Sequence, residues 1–122
     1  MNVKRIAAFA LRFPKTTEEQ PFGPNVDVYK VAGKMFAILA PDDEPPAISL
    51  KCDPLLAEEL RREFHAVQPG YHLNKTHWNT VTLDGSVPDA EIKGMITHSY
   101  AQVVAGMPKA LRDELAQFAL PS

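Results

Sequence analysis

The 122-residue chain has one cysteine, Cys52, and one tryptophan, Trp78. A single thiol closes no intrachain disulfide, so nothing calls for an oxidising compartment. Metal-ligand spacing is missing as well. His65, His72, His77 and His98 form no H-x-x-x-H pair, no C-x-x-C occurs, and His72 and His77 would point to opposite faces of a continuous strand. There is no glycine-rich phosphate loop, no G-x-S-x-G and no zinc-protease helix motif. No metal and no cofactor are therefore expected. No apolar run approaches the roughly 20 residues that span a bilayer. The N-terminal segment MNVKRIAAFALRF places Lys4 and Arg5 before an apolar run, but Arg12 interrupts that run and no small-residue cleavage site follows. An amphipathic helix accounts for it, and the expectation is a cytoplasmic protein. Neither sign of charge dominates: 13 Lys and Arg stand against 15 Asp and Glu, for a net charge of −2. That balance argues against a broadly basic nucleic-acid surface and leaves room for a local basic patch.

What is present is the composition of an ordinary globular protein, 45% hydrophobic and 23% charged. The length suits a single domain over residues 1–122. Eleven prolines sit at element boundaries and form no low-complexity tract. Val3 to Phe13 is expected as a first helix, with Asn2 as N-cap and Val3, Ile6, Ala10 and Phe13 on one stripe. Lys15 to Asn25 reads as a connector, broken by Pro21, Gly23 and Pro24 and anchored to the core by Phe22. Val26 to Val31 alternates as a strand, Ala32-Gly33 turns, and Lys34 to Ala40 (KMFAILA) forms a second, more central strand. The exposed acidic loop Pro41 to Pro46 leads to a third strand, Ala47 to Lys51. A second helix opens at Asp53-Pro54, N-cap followed by proline at the first helical position. It carries the stripe Leu56, Leu60, Phe64. Tyr71 to Leu73 is a candidate short strand, Asn74 to His77 a loop, and Thr80 to Leu83 a further strand. Helix three starts near Pro88 with Ile92, Ile96, Tyr100 and Val103 on its apolar face and stops at Gly106. A last helix after Pro108 presents Leu111, Leu115 and Phe118. The order implies an α+β fold: an antiparallel sheet of about four or five strands with helices packed on one face.

Chemistry concentrates in Gln68 to Gly85, QPGYHLNKTHWNTVTLDG. Cys52, just before a helix N-cap, could have a lowered pKa, yet no His or acid stands beside it in a nucleophile motif; a small apolar residue at a strand–helix junction is the alternative. Asp42-Asp43-Glu44 lacks the alternation and glycine of a calcium loop and reads as a solvated hairpin end. Arg61, Arg62, Lys75 and three histidines form the most basic window, interleaved with Tyr71 and Trp78. Cations on phosphates with aromatics on bases would suit nucleic acid. Read from the residues alone, the favoured account is the other one: Trp78 and Tyr71 pack in the core or cap the sheet, and the cations are ordinary surface charge.

Several runs, taken in order, resemble the MmcQ/YjbR family of small bacterial proteins. They are Ala10-Leu11-Arg12-Phe13-Pro14 with Glu18 and Glu19, Pro21-Phe22-Gly23, Gly33-Lys34-Met35-Phe36, Ser49-Leu50-Lys51-Cys52 and Pro69-Gly70-Tyr71-His72-Leu73-Asn74-Lys75, continuing through His77-Trp78-Asn79 to Leu83-Asp84-Gly85, then Val87-Pro88-Asp89 and His98-Ser99-Tyr100. The resemblance implies a CyaY-like fold and binding of double-stranded DNA through a "double wing" of hairpin loops. One wing, Ala32-Gly33-Lys34, is cationic; the other, Asp42-Asp43-Glu44, would repel phosphate. Frataxin-like iron binding is not expected, since the first helix bears Lys4, Arg5 and Arg12 and no acid. The leading expectation is a non-catalytic DNA-binding protein. Lys34, Arg61, Arg62 and Lys75 would meet phosphates, with His72, Asn74, His77 and Trp78 as polar or stacking contacts. The alternative is a protein- or ligand-interaction module with a groove lined by Tyr71, His72, Asn74 and Trp78.

Overall fold

The computed structural model describes residues 1–122. Four helices and six strands follow in the order α1 (Val3–Leu11), β1 (Thr16–Glu19), β2 (Asp27–Val31), β3 (Lys34–Ala40), β4 (Ala47–Lys51), α2 (Pro54–Glu63), β5 (Val67–Pro69), β6 (Trp78–Thr82), α3 (Asp89–Ala105) and α4 (Lys109–Leu115). The strands form one antiparallel sheet in the order β1-β2-β3-β4-β6-β5. The α+β class with helices on one face is as expected, and the sheet is larger by its two outermost strands.

Both additional strands lie where the sequence carries little periodic signal. Thr16–Glu19 belongs to the expected connector, yet it pairs with β2 from Thr16↔Val31 to Glu19↔Val28. Its four residues bury little, as suits an edge strand whose order comes from its partner. Val67–Pro69 is the other edge. The strand expected over Tyr71 to Leu73 does not form, because His72 turns left-handed, with φ +59°. Strand β6 starts at Trp78, so Trp78 belongs to the sheet and not to the loop before it.

Alternation along the central strands separates two faces. Leu39, Ile48 and Val81 are paired across β3, β4 and β6 and are buried under the helices. Their neighbours Ile38, Ser49 and Thr80, also paired in register, point to the opposite face, which no helix covers. A β-bulge breaks the register between Tyr29 and Lys30, and Phe36 becomes the extra residue. Phe36 joins an aromatic core in which Phe13 and Tyr100 lie 4.8 Å apart and Phe36 and Tyr100 5.2 Å. Ser99 on α3 seals the junction. Its hydroxyl donates to the Phe36 carbonyl at 2.5 Å and accepts from the Lys51 N–H at 2.9 Å.

Helix starts match the cap chemistry. Asn2 Oδ1 accepts from Arg5 N, and Asp53 Oδ2 accepts from Leu55 N and Leu56 N. Helix α1 ends at Leu11, two residues before expected, and Phe13 is buried from just beyond it. Two aromatic expectations fail. Phe22 does not anchor its connector in the core; it is 63% exposed. Phe118 lies past α4, exposed, with the Lys15 ammonium 5.7 Å from its ring centre.

Candidate functional site

The segment between β5 and β6, residues 70–77, has no regular secondary structure, so its backbone groups need other partners. Gly70 closes its base by donating N–H to the Trp78 carbonyl at 2.8 Å. No side chain fits there: a Cβ on Gly70 would lie 2.7 Å from Trp78 Cβ and 3.0 Å from its carbonyl oxygen. Arg61 reaches across from α2. Its Nε donates to Asn79 Oδ1 at 2.7 Å, and its Nη2 donates to the Lys75 carbonyl and, at 3.3 Å, to the Trp78 carbonyl. Asn79 is buried and donates to the Ala57 carbonyl at 3.4 Å, so α2, the loop and β6 share one polar network. Lys75 Nζ donates to the Gly70 carbonyl at 2.8 Å. Asn74 Oδ1 accepts from Thr76 N and His77 N, an Asx turn that shapes the loop tip.

Three of the eight residues expected to meet DNA, Arg61, Asn74 and Lys75, therefore make bonds within the fold. The other five separate. Lys34 and Trp78 are brought together with Lys51, which the sequence reading did not single out. Register explains this: β3 begins where β4 ends, and Lys51 pairs with Trp78. The three side chains line a depression of about 410 Å³ whose lining includes Met35 and Met107 and no acidic residue. Neither lysine is in an ion pair. His77 is exposed beside them, its carbonyl accepting from Cys52 N at 2.8 Å. Arg62 is exposed on α2 and in no ion pair. His72 lies on the helix-free face instead.

The turn Ala32-Gly33, with φ +48° and +81°, sits at the Lys34 end of the sheet. A two-residue turn with both φ positive suits the twist of a hairpin. Asp42-Asp43-Glu44 lies at the other end of β3, about 20 Å away at ~3.3 Å per residue. The two turns named as wings thus lie at opposite ends, and it is the 70–77 loop that leaves the sheet beside Lys51.

On the helix-free face a second groove of about 410 Å³ forms over Ile38, Ser49 and Thr80. Tyr71 and His72 line it, as expected of an interaction groove; Asn74 and Trp78 do not. Phe22 lines it from the connector. The signal that could have found this groove is the polar Ser49 in the otherwise apolar run Ala47 to Leu50.

A third cavity, about 130 Å³, lies between α2 and α3 and is lined by Cys52, His98 and mainly apolar side chains. Burial, followed by the nearby Asp53 carboxylate, pushes the Cys52 thiol up to about 11 from 9.0, while Arg61 pulls it down. Being upstream of a helix N-cap does not activate this thiol. No three His, Cys, Asp or Glu side chains form a group able to hold a metal ion. No helix is long and apolar enough to cross a membrane.

Comparison with known proteins places this architecture. The model of the YjbR family matches residues 11–102. The protein YjbR of Escherichia coli, described as uncharacterized, is 46% identical over 88 residues, 72% of this chain and 75% of that protein. YbdF of Escherichia coli, also described as uncharacterized, is 35% identical over 100 residues, 82% of each. A crystal structure of a Deinococcus radiodurans protein with a DUF419 domain superposes with a TM-score of 0.87 at 39% identity, covering 98% of this chain and 89% of that one. A Pseudomonas syringae protein follows at TM-score 0.73 and 28% identity, over 84% of this chain and 98% of that one.

Proposed function

The chain belongs to the YjbR family, and on that premise we propose that it is a non-catalytic protein that binds double-stranded DNA. The contact is the end of the sheet that carries Lys34, Lys51 and Trp78. One observation carries this reading: two lysines without acidic partners flank the only indole in a depression with no carboxylate in its lining. Ammonium groups in that setting attract phosphate, and the half-buried indole offers an apolar face to sugar or base. His77 extends the exposed polar surface beside Trp78, and the acidic turn at the opposite end would face away from the duplex. Arg61, Asn74 and Lys75 act indirectly, by holding the 70–77 loop in place. A footprint this small implies modest affinity and few phosphate contacts.

The test is fluorescence anisotropy of a labelled duplex titrated with protein at two salt concentrations. Each lysine that meets a phosphate adds about 0.9 to the slope of log affinity against log salt. The Lys34→Gln/Lys51→Gln double variant should lower that slope by about 2 and weaken binding uniformly across sequences. Unchanged affinity in the double variant, or wild-type binding that ignores salt, defeats the proposal.

A further inference from the structure

The groove on the helix-free face shares no lining residue with the depression at the sheet end. Its volume of about 410 Å³ is that of a small-molecule site. Its jaws are two exposed rings from distant loops, Phe22 at 63% and Tyr71 at 71% exposure. Single exposed rings are ordinary; two lining one groove are less so. Tyr71 is held in place. Its N–H donates to Thr80 Oγ1 at 3.0 Å, and its ring centre lies 3.9 Å from that of His72. His72 adopts φ +59°, a conformation unfavourable for a residue with a side chain. The clamp of Gly70, Arg61 and Lys75 at the base of the loop maintains it.

The floor supplies a hydrogen-bond donor. Ser49 Oγ and Thr80 Oγ1 are 2.8 Å apart, and either can be the donor. Two hydroxyls hold two protons, and the bond between them uses one. Whichever oxygen donates, one hydroxyl proton remains for an acceptor above the floor, and the Tyr71 N–H occupies only a lone pair of Thr80 Oγ1. The rim supplies a negative charge. Asp43 lines the groove, is exposed and is in no ion pair, and Asp42 and Glu44 flank it in the same turn. No lysine or arginine lines the groove.

We propose that this groove binds a small organic cation with a flat aromatic body. The body lies between Phe22 and Tyr71, the ammonium faces the ring of Tyr71 and the carboxylate of Asp43, and an acceptor on the body meets the Ser49–Thr80 hydroxyl pair. Aromatic faces and a carboxylate together attract an organic cation, and neither favours an anion. This site and the lysine-lined sheet end would therefore select ligands of opposite charge, so either can fail without the other.

The probe is serotonin, with hydroxyindoleacetate as its carboxylate counterpart, each titrated into the full chain and followed by backbone amide NMR. Serotonin should shift the amides of Ile38, Tyr71 and Thr80 saturably, and hydroxyindoleacetate should bind about tenfold more weakly. Asp43→Asn, in an exposed turn, should narrow that preference severalfold with the rest of the spectrum unchanged, and an unchanged preference overturns the role given to Asp43. Phe22→Ala and Tyr71→Ala should each abolish saturation. Equal binding of amine and acid overturns the proposal, as does the absence of shifts at millimolar serotonin. Shifts confined to Lys34, Lys51 and Trp78 also overturn it. Movement of the groove amides on raising protein concentration alone would assign the groove to a second copy of the chain. Saturation by a Phe-Lys-Phe peptide without a response to serotonin would assign it to a protein segment. Both results reject the small cation.

Discussion

Arg61 and Lys34 are both cations brought to Trp78, and they end in opposite roles. Arg61 is absorbed: its guanidinium bonds the Asn79 side chain and the carbonyls of Lys75 and Trp78. Lys34 lines an open depression and pairs with no acid. The difference follows from side-chain chemistry and backbone need. A guanidinium is a planar fork of five donors and can serve several acceptors at once. The 70–77 loop, lacking ladder bonds, presents such acceptors to α2. Lys34 begins a strand whose backbone is already paired, so its ammonium has nothing internal to satisfy. Cations that the fold gathers around one tryptophan thus divide into those that build a loop and those that remain available to a ligand.

Unmaking the clamp tests this contrast most severely. Gly70→Ala forces a Cβ against Trp78 Cβ and the adjacent carbonyl, which has no flexible end to move aside. It should cost about 3 kcal/mol, read as a lower urea midpoint at unchanged slope. An unmoved midpoint would mean that the loop base is pliable. Arg61→Met comes next, at about 2 kcal/mol, because it strands the Asn79 oxygen at a residue only 3% exposed. Its salt slope for duplex binding should match the wild type; a drop of about 1 would return Arg61 to the phosphate contacts.

Cys52 lies between the two regions, its N–H bonded to the His77 carbonyl. Burial raises the thiol from 9.0 to about 11, so the native protein should hold about a hundredfold fewer thiolates than the unfolded chain below pH 9. Alkylation by iodoacetamide should be slower in the native state by a similar factor; comparable rates would show an open site. The same shift carries a stability sign. A thiol whose folded pKa is raised contributes stability below its unfolded value, and that contribution is lost as pH climbs from 9.0 toward about 11. Cys52→Ala should flatten this part of the pH profile. Tyr100, raised by burial to about 12, adds its own loss at higher pH. The smallest stability effect belongs to Lys34→Gln: within about 0.5 kcal/mol of wild type. Its duplex-binding salt slope should fall by about 1. A large loss of stability there would erase the distinction between the two cations.

Much of the scaffold was legible because local chemistry and tertiary demand agree. Strands β3 and β4 match the apolar runs Lys34–Ala40 and Ala47–Lys51, and α2 begins where Asp53-Pro54 says it must. The buried face of α3, from Ile92 to Val103, follows the 3.6-residue period. Edge strands were harder to read. Thr16–Glu19 is extended because β2 offers it partners, a property of β2 rather than of its own residues. Around the site, the Gln68–Gly85 cluster could be found by composition, yet its division could not be read. Arg61 and Arg62 are adjacent and chemically identical, and only the orientation of α2 turns one inward.

Composition and periodicity by themselves determined the α+β class, the central strands, the caps of α1 and α2 and, with a single cysteine, the lack of an intrachain disulfide. Those properties depend on neighbours within a few residues, where spacing dictates direction. Tertiary structure alone decided which cations remain available, that Lys51 joins Lys34 and Trp78, and that Phe22 and Tyr71 line one groove on the helix-free face of the sheet. Those outcomes depend on strand register and on backbone groups left unpaired by distant segments, and neither is encoded at the positions that they affect.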